Sequence, residues 1–263
     1  MSDKILKVDN LSFYYDVYKN ILNNISIEFE TKTVTAILGC NGSGKSTLLD
    51  CIMGFNKYYS GNILLFDKNI RDYSLETLSK VMTYLPQQVD KLIEFKVFDF
   101  LLFGRAPYIS VSSIPKKNEN EKVLMYAEKT GIKNLLNKNL NQLSGGEKQL
   151  VRITRSLVQE TEIILLDEPT ASLDFGNQYK ILELIKLLSI EGKTIIFTIH
   201  NPNQLIEYNY NSVVLNDSKV IAQGEAKKII NDNIIKQVYG CNFEIKNDKC
   251  QLIKESKIKS LQR

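Results

Sequence analysis

Residues 39–46 read Gly39-Cys40-Asn41-Gly42-Ser43-Gly44-Lys45-Ser46, with Thr47 next, which is the pattern G-x-x-x-x-G-K-[ST]. The run before it, TVTAIL at 33–38, is apolar and rich in β-branched residues, and 45–53 carries a helical pattern. Strand, glycine loop and helix in that order make a phosphate cradle. Glycines let the backbone curl so that successive N–H groups point inward, and the helix N-terminus adds its partial positive charge. Lys45 is then placed to reach the β and γ phosphates and Ser46 to bind Mg2+. At average residue usage the pattern arises in roughly one window in 25,000. The loop therefore implies a nucleoside triphosphate held across Gly39, Asn41, Gly42, Ser43, Gly44, Lys45, Ser46 and Thr47.

Outward from the loop, short β-rich runs alternate with longer helical ones. Strands are predicted at 62–66, 81–85, 162–166, 194–199 and 212–215, each apolar and largely rich in β-branched or aromatic residues. This alternation predicts an α/β protein with a largely parallel sheet. At 5–15 and 25–30 apolar and polar residues alternate singly, as in a sheet with one wet face, which predicts a small antiparallel layer. Between 87 and 158 the strand pattern disappears: 97–103 and 120–130 read as helices, the second ended by Gly131, with a polar loop at 110–118 between them. The expected fold is a P-loop NTPase core with a mainly parallel sheet, an N-terminal antiparallel β layer and an inserted α-helical subdomain. One domain is expected over 1–263, with its core at 1–87 and 159–263 and the helical subdomain at 88–158.

The chain has 263 residues, of which 43% are hydrophobic and 24% charged, enough to bury a substantial core. Its longest purely apolar runs, such as 163–166, fall far short of the roughly 20 residues that span a bilayer. The N-terminal MSDKILKVDNLSF lacks an apolar stretch of secretory length. Both features point to a soluble, cytoplasmic protein. Cys40, Cys51, Cys241 and Cys250 show no paired spacing and read as reduced thiols. A net charge of +4 is well short of the dense basic stripe that displaces counterions from nucleic acid, so nucleic acid is not expected as a partner. The local excess at Lys254, Lys257, Lys259 and Arg263 reads as a solvated tail, with anionic lipid or a partner as the alternative.

Further stretches carry chemistry. Ile163-Ile164-Leu165-Leu166-Asp167-Glu168 is an apolar strand ending in two carboxylates, which parallel-sheet topology would bring out beside the phosphate loop. Asp167 fits a Mg2+ partner, and Glu168 a general base for an attacking water. Alone, such a pair is equally a solvated strand end. His200, the one histidine, follows the strand predicted at 194–199 and would come to the same edge. Leu143-Ser144-Gly145-Gly146-Glu147-Lys148-Gln149 precedes a helical run at 150–159. Ser144 and the N–H groups of Gly145 and Gly146 thus describe an anion site at a helix start.

LSGGEKQ, lying before the strand that ends in Asp167, resembles the signature of the ATP-binding-cassette ATPases. The resemblance extends over nearly the whole chain, with the motifs in family order, and it implies ATP and Mg2+ as ligands. It implies that Tyr15, in LSFYYD, stacks on the adenine, and that Gln87, in YLPQ, contacts the metal and the attacking water. Asp174, in Ser172-Leu173-Asp174, would lie in the loop that crosses to a second subunit, and His200, in FTIHNP, would be the switch histidine at the γ phosphate. Catalysis would rest on Lys45, Gln87, Glu168 and His200, and the metal on Ser46, Gln87 and Asp167. In this family the signature of one subunit completes the phosphate site of another. That implies a head-to-tail dimer of two copies, with Ser144, Gly145, Gly146 and Asp174 of each reaching the other's nucleotide.

Phe103-Gly104-Arg105-Ala106-Pro107-Tyr108 resembles the G-R-x-P-[YH] element of uptake ATPases for iron chelates, haem and cobalamin. HNPNQ at 200–204, together with 220–224 and 238–240, resembles the same group. Arg105 would ion-pair or dock on a permease, the alternative being a plain loop with a buried arginine. The resemblance implies a subunit that hydrolyses ATP to power an importer of such chelates. It would be peripheral on the inner face of the cell membrane through transmembrane permease subunits, and served indirectly by a substrate-binding protein. An exporter subunit or a non-transport cassette is the alternative. The chain departs from the family pattern at Cys40, where a thiol would make activity sensitive to oxidation. It departs also at Asn201, in place of the usual aspartate, and at Thr154-Arg155-Ser156-Leu157, in place of a more alanine-rich helix.

Overall fold

A glycine loop holds a fixed shape only when the strand before it and the helix after it are themselves anchored. The computed structural model, which describes residues 4–16, 19–87, 94–109, 117–241, 243–246 and 248–252, shows both anchors. The predicted loop at 110–118 falls largely outside the described residues, as do Lys254, Lys257, Lys259 and Arg263. From the N-terminus run β1 (Lys4–Asp16), β2 (Lys19–Glu30), β3 (Val34–Leu38), α1 (Lys45–Ile52), β4 (Ser60–Leu65) and β5 (Lys68–Asn69). Next come α2 (Leu75–Val81), β6 (Met82–Leu85), α3 (Val97–Leu102), α4 (Lys117–Lys129), α5 (Gly145–Val158), β7 (Ile163–Leu166), α6 (Phe175–Ile190) and β8 (Thr194–Ile199). The chain continues through α7 (Pro202–Tyr208), β9 (Asn211–Asn216), β10 (Lys219–Glu225), α8 (Ala226–Ile229), α9 (Asp232–Tyr239), β11 (Phe243–Lys246) and β12 (Lys249–Leu252).

The chain folds as two compact units, residues 1–70 with 197–263 and residues 71–196. In the first, the strands order β10-β9-β3-β8, with β3 parallel to β9 from Thr35↔Asn211 to Leu38↔Val214 and β10 antiparallel at the edge. In the second the order is β8-β7-β6, with β6 parallel to β7 from Met82↔Ile163 to Leu85↔Leu166. Every residue of β3, β7 and β8 is buried, which is why those segments read as unbroken apolar runs. The antiparallel layer is the sheet β2-β1-β4-β5 of the first unit. Its strands show the alternation of a half-wet sheet, with Ile5, Val8, Leu11, Ile25, Ile27 and Phe29 turned inward.

Register in that sheet depends on Gly61, which sits at φ +85° beside the register shift of β1 between Asp9 and Ser12. A Cβ there would lie 2.3 Å from the Asn10 carbonyl oxygen and 2.5 Å from that of Asp9. Both the conformation and the contact exclude a side chain. Gly61→Ala is expected to destabilise the protein by about 2–3 kcal/mol, read as a lower urea midpoint at unchanged slope.

Among the described residues from 94 to 158 there is no strand, only the single bridge between Lys96 and Asn139. α3, α4 and α5 of the second unit pack around their own apolar cluster, which includes Val97, Leu101, Val123, Ala127, Leu140, Val151 and Val158. Gly131, at φ +73°, follows α4 as expected. The helical run read at 150–159 belongs to α5, which starts at Gly145 with Ser144 as its cap, the helix start expected there.

Candidate functional site

The first unit holds the phosphate loop, Tyr15 and His200. Gly44 takes φ +100°, and a Cβ there would meet the Ile21 carbonyl oxygen at 2.7 Å, so only glycine lets the loop close down on β2 before α1 begins. Lys45 is 4% exposed, and its ammonium donates to the carbonyls of Gly39 at 2.8 Å and Cys40 at 3.0 Å. The cation therefore sits inside the curl that the motif predicts for phosphate. Ser43 points a buried hydroxyl oxygen into the protein with no hydrogen-bond partner there, an acceptor or donor that a loop ligand would satisfy. Asn41, Gly42 and Ser46 are exposed, while Thr47 is buried under the loop. Such a loop fits a polyphosphate: one buried cation, a helix start and an open face.

Tyr15 is 65% exposed, and its ring stands edge-on against the buried Phe13 at 4.8 Å, an arrangement that fixes the plane of a ring offered to solvent. His200, also exposed, follows β8 and is held through its carbonyl, which accepts the Tyr239 hydroxyl at 2.5 Å. One residue earlier in α9, the Val238 carbonyl accepts the Cys40 thiol at 2.7 Å. Carbonyls in the last turn of a helix lack intrahelical partners, so Val238 can hold the phosphate loop, while Tyr239 holds the residue after β8 through its side chain. Burial pushes the Cys40 thiol up, against the pull of Lys45. Cys40 acts here as a hydrogen-bond donor to α9. Asn201 caps α7, its side chain accepting the Asn203 N–H at 3.0 Å. Asparagine and aspartate serve equally in that position.

The second unit holds the carboxylates and the glycine-pair motif. Asp167 is 2% exposed at the end of β7, its N–H donating to the Leu85 carbonyl at 2.8 Å. Glu168 adopts φ +46°, a left-handed conformation that costs about 1–3 kcal/mol for a residue with a Cβ and is characteristic of functional sites. Its carboxylate accepts the Gln87 side-chain amide at 2.7 Å. Gln87, Asp167 and Glu168 are thus brought together as expected. Ser144 and Glu147 form a reciprocal capping box, at 3.3 and 2.8 Å, and the backbone N–H of Ser144 holds the Glu147 carboxyl below its ordinary range. With that box closed, the N–H groups of Gly145 and Gly146 have no acceptor within their own helix.

Sequence reasoning assigned no role to three residues here, although Gln149 closes the LSGGEKQ motif. Asn177 donates to Asp174 at 2.6 Å and packs on Gly146, where a Cβ would lie 2.4 Å from its amide nitrogen. It thereby brings Asp174, the N-cap of α6, next to the glycine pair. Gln149 donates to the Pro169 carbonyl at 2.9 Å, and Arg152 to that of Pro86 at 2.5 Å. These contacts join positions 20 and 66 residues apart, and no local pattern announces them.

The sequence profile of the ABC transporter family matches residues 22–171. The chain belongs to that family. It is 34% identical to an uncharacterized ABC transporter ATP-binding protein of Haemophilus influenzae over 241 residues, 92% of this chain and 91% of that one. It is 32% identical to the ferric enterobactin transport ATP-binding protein of Escherichia coli, over 92% of this chain and 90% of that one. Among solved structures, a chain described as a metal-chelate type ABC transporter in an inward-facing conformation superposes with a TM-score of 0.83, at 27% identity, covering 96% of this chain and 99% of that one. CbiO1 of Clostridium perfringens, part of the ABC transporter complex cbiONQ, gives 0.77 at 34% identity over 87% and 91%.

The protein is therefore an ABC-type ATPase that binds nucleotide, and ATPases of this family work with membrane-embedded permease components. Among its own described residues, no helix is long and apolar enough to cross a membrane. The fold class expected from the sequence agrees with these relatives, including the mixed sheet and the antiparallel layer.

In this ABC ATPase Arg105 does not present itself to a permease, being only 2% exposed. Its guanidinium donates to Glu119 at 2.5 Å, to the Val158 carbonyl at 2.7 Å and to Glu160 at 3.0 Å, and it lies 4.1 Å from the centre of the Tyr108 ring. The ion-pairing expectation holds and the docking one fails, because a cation only 2% exposed and paired inward offers a partner almost no surface. Arg105→Ala should destabilise the protein by about 3–5 kcal/mol, since it strands the Glu119 carboxylate and the buried Val158 carbonyl, while Glu160 keeps Lys122. Urea denaturation measures that loss.

Proposed function

We propose that this chain is the ATPase of an importer of metal chelates and that it works as a head-to-tail pair of copies. The observation that carries the pairing is the first turn of α5, where a closed capping box leaves the N–H groups of exposed Gly145 and half-buried Gly146 available to an anion. A phosphate loop within residues 1–70 and a glycine turn suited to an anion within residues 71–196 suit two copies that each supply one part. The metal-chelate class is supported by the likeness to the E. coli enterobactin ATPase and to the metal-chelate type transporter structure.

In this proposal Tyr15 stacks on the adenine, and the loop Gly39 to Thr47, through Asn41 and its neighbours, wraps the phosphates with Lys45 at the β and γ positions. Ser46, Gln87 and Asp167 would hold Mg2+, which would supply positive charge against the phosphates. Among the described residues no three His, Cys, Asp or Glu side chains converge on one point, and Mg2+ takes one or two carboxylates completed by substrate phosphates. Gln87 orients the attacking water, Glu168 accepts its proton, and the water oxygen bonds to the γ phosphorus as the bond to ADP breaks. His200 donates to the γ phosphate. Ser144, Gly145, Gly146 and Asp174 of the second copy close over the same nucleotide.

The chain would act as one ATPase domain with a helical subdomain at 88–158, for which the apolar cluster around α3, α4 and α5 is the support. It would sit on the inner face of the membrane against permease subunits, with a substrate-binding protein on the far side. Vesicles carrying the full complex test the assignment. ATP-driven accumulation of a radiolabelled ferric siderophore is expected; ATP turnover without such uptake, or with efflux, would count against metal-chelate import.

A further inference from the structure

Arg152 lies inside α5 between the buried Val151 and Ile153, yet its guanidinium leaves the helix to bind the backbone that follows β6. Nη2 donates to the Pro86 carbonyl at 2.5 Å and Nη1 to the Gln87 carbonyl at 3.3 Å. Nη1 also donates to Gln149 Oε1 at 3.1 Å, and Gln149 Nε2 donates to the carbonyl of Pro169, the residue after Glu168, at 2.9 Å. The Gln87 amide reaches Glu168 Oε2 at 2.7 Å. These bonds close a ring from Arg152 through Gln87, Glu168, Pro169 and Gln149 back to Arg152. The ring lies entirely within residues 71–196, so it is internal to one compact unit.

The residue type fits the task. A planar guanidinium serves two adjacent carbonyls and an amide oxygen at once, whereas an ammonium acts as a point charge. Burial, and then the neighbouring Arg155, pull the Arg152 pKa below its ordinary value, so the cation is kept at a desolvation cost that a plain surface arginine does not bear.

We propose that Arg152 is a positioning residue for hydrolysis: by gripping the backbone at Pro86 and Gln87 it holds the Gln87 amide against Glu168 and ties that pair to the helix whose first turn is Ser144 to Gly146. This rests on the assignment of Glu168 as the base. The Arg152 guanidinium is held by the Pro86 and Gln87 carbonyls and the Gln149 amide oxygen, and it acts through Gln87.

The test uses the full chain and counts active sites by titration with a non-hydrolysable ATP analogue, so that misfolded protein does not enter the rate. Arg152→Met should lower kcat per site about tenfold while KM for ATP stays within about twofold. Arg152→Lys, which keeps the charge but loses the fork, should recover only part of that. In an Arg152→Met/Gln87→Ala chain the loss should be no larger than for Gln87→Ala alone, because both act at one point. Unchanged kcat in Arg152→Met, beside an inactive Glu168→Gln, would overturn the positioning role and leave the base assignment standing. Losses that simply add with Gln87→Ala, or a KM that rises in step with the fall in kcat, would likewise overturn it. Full turnover by Glu168→Gln would instead remove the base assignment itself.

Discussion

Glu168→Gln is expected to bind ATP with near-normal affinity and to lose about 10²–10⁴ in kcat, the range that a general base contributes. The substitution is nearly isosteric, so the left-handed backbone at φ +46° and the half-buried setting at the end of β7 should both survive. What changes is proton affinity. An amide takes no proton from water, and the Gln87 amide, now 2.7 Å from a carboxylate oxygen, would face an amide instead. Steady-state turnover beside binding of a fluorescent ATP analogue separates the two effects. Near-normal hydrolysis would take Glu168 out of the base role.

Ser144→Arg should abolish turnover while sparing nucleotide binding, for two reasons that can be told apart. Removing the serine opens the capping box with Glu147, a loss of about 1 kcal/mol at the start of α5. The larger effect is that a long cation fills the space in front of Gly145 and Gly146, where the two-copy proposal puts a partner's phosphates. Ser144→Ala separates the contributions, since it carries the first and not the second. Turnover that survives in Arg and falls only as far as in Ala would point to a site contained within one copy.

Much of the fold can be read from the sequence where the relevant physics is local. The phosphate loop is visible because glycines, lysine and serine must stand at fixed spacing between a strand and a helix. β3, β7 and β8 are visible because all their residues are buried, leaving no polar interruption. α6 is not, because apolar residues lie on both of its faces: Ile181, Leu182, Ile185 and Leu188 are buried, while Leu187 and Ile190 are 54% and 75% exposed. A helix without a contrast between faces shows no 3.6-residue period. The start of α5 is legible in Ser144, which reads as a helix cap, although its two glycines interrupt the helical pattern before 150.

The candidate site divides in the same way. Lys45, Asp167, Glu168 and Ser144 stand in contiguous motifs. Arg105 is ambiguous in sequence, since the same residue type serves a buried network and an exposed docking point, and only its 2% exposure decides between them. Gln149, Arg152 and Asn177 act through contacts between distant segments or through a helix turn packed on a glycine. Their roles follow from tertiary structure alone.

In the two-copy proposal the phosphate loop is half of an active site and a second copy supplies the other half. The most direct measurement is the solution mass of Glu168→Gln at saturating ATP, with bound nucleotide counted in the same sample. Two chains holding two ATP molecules, reverting to single chains with ADP, is the predicted result. A single chain that stays monomeric with one ATP bound, while the unmodified protein hydrolyses ATP at a rate per chain independent of protein concentration, would contradict it.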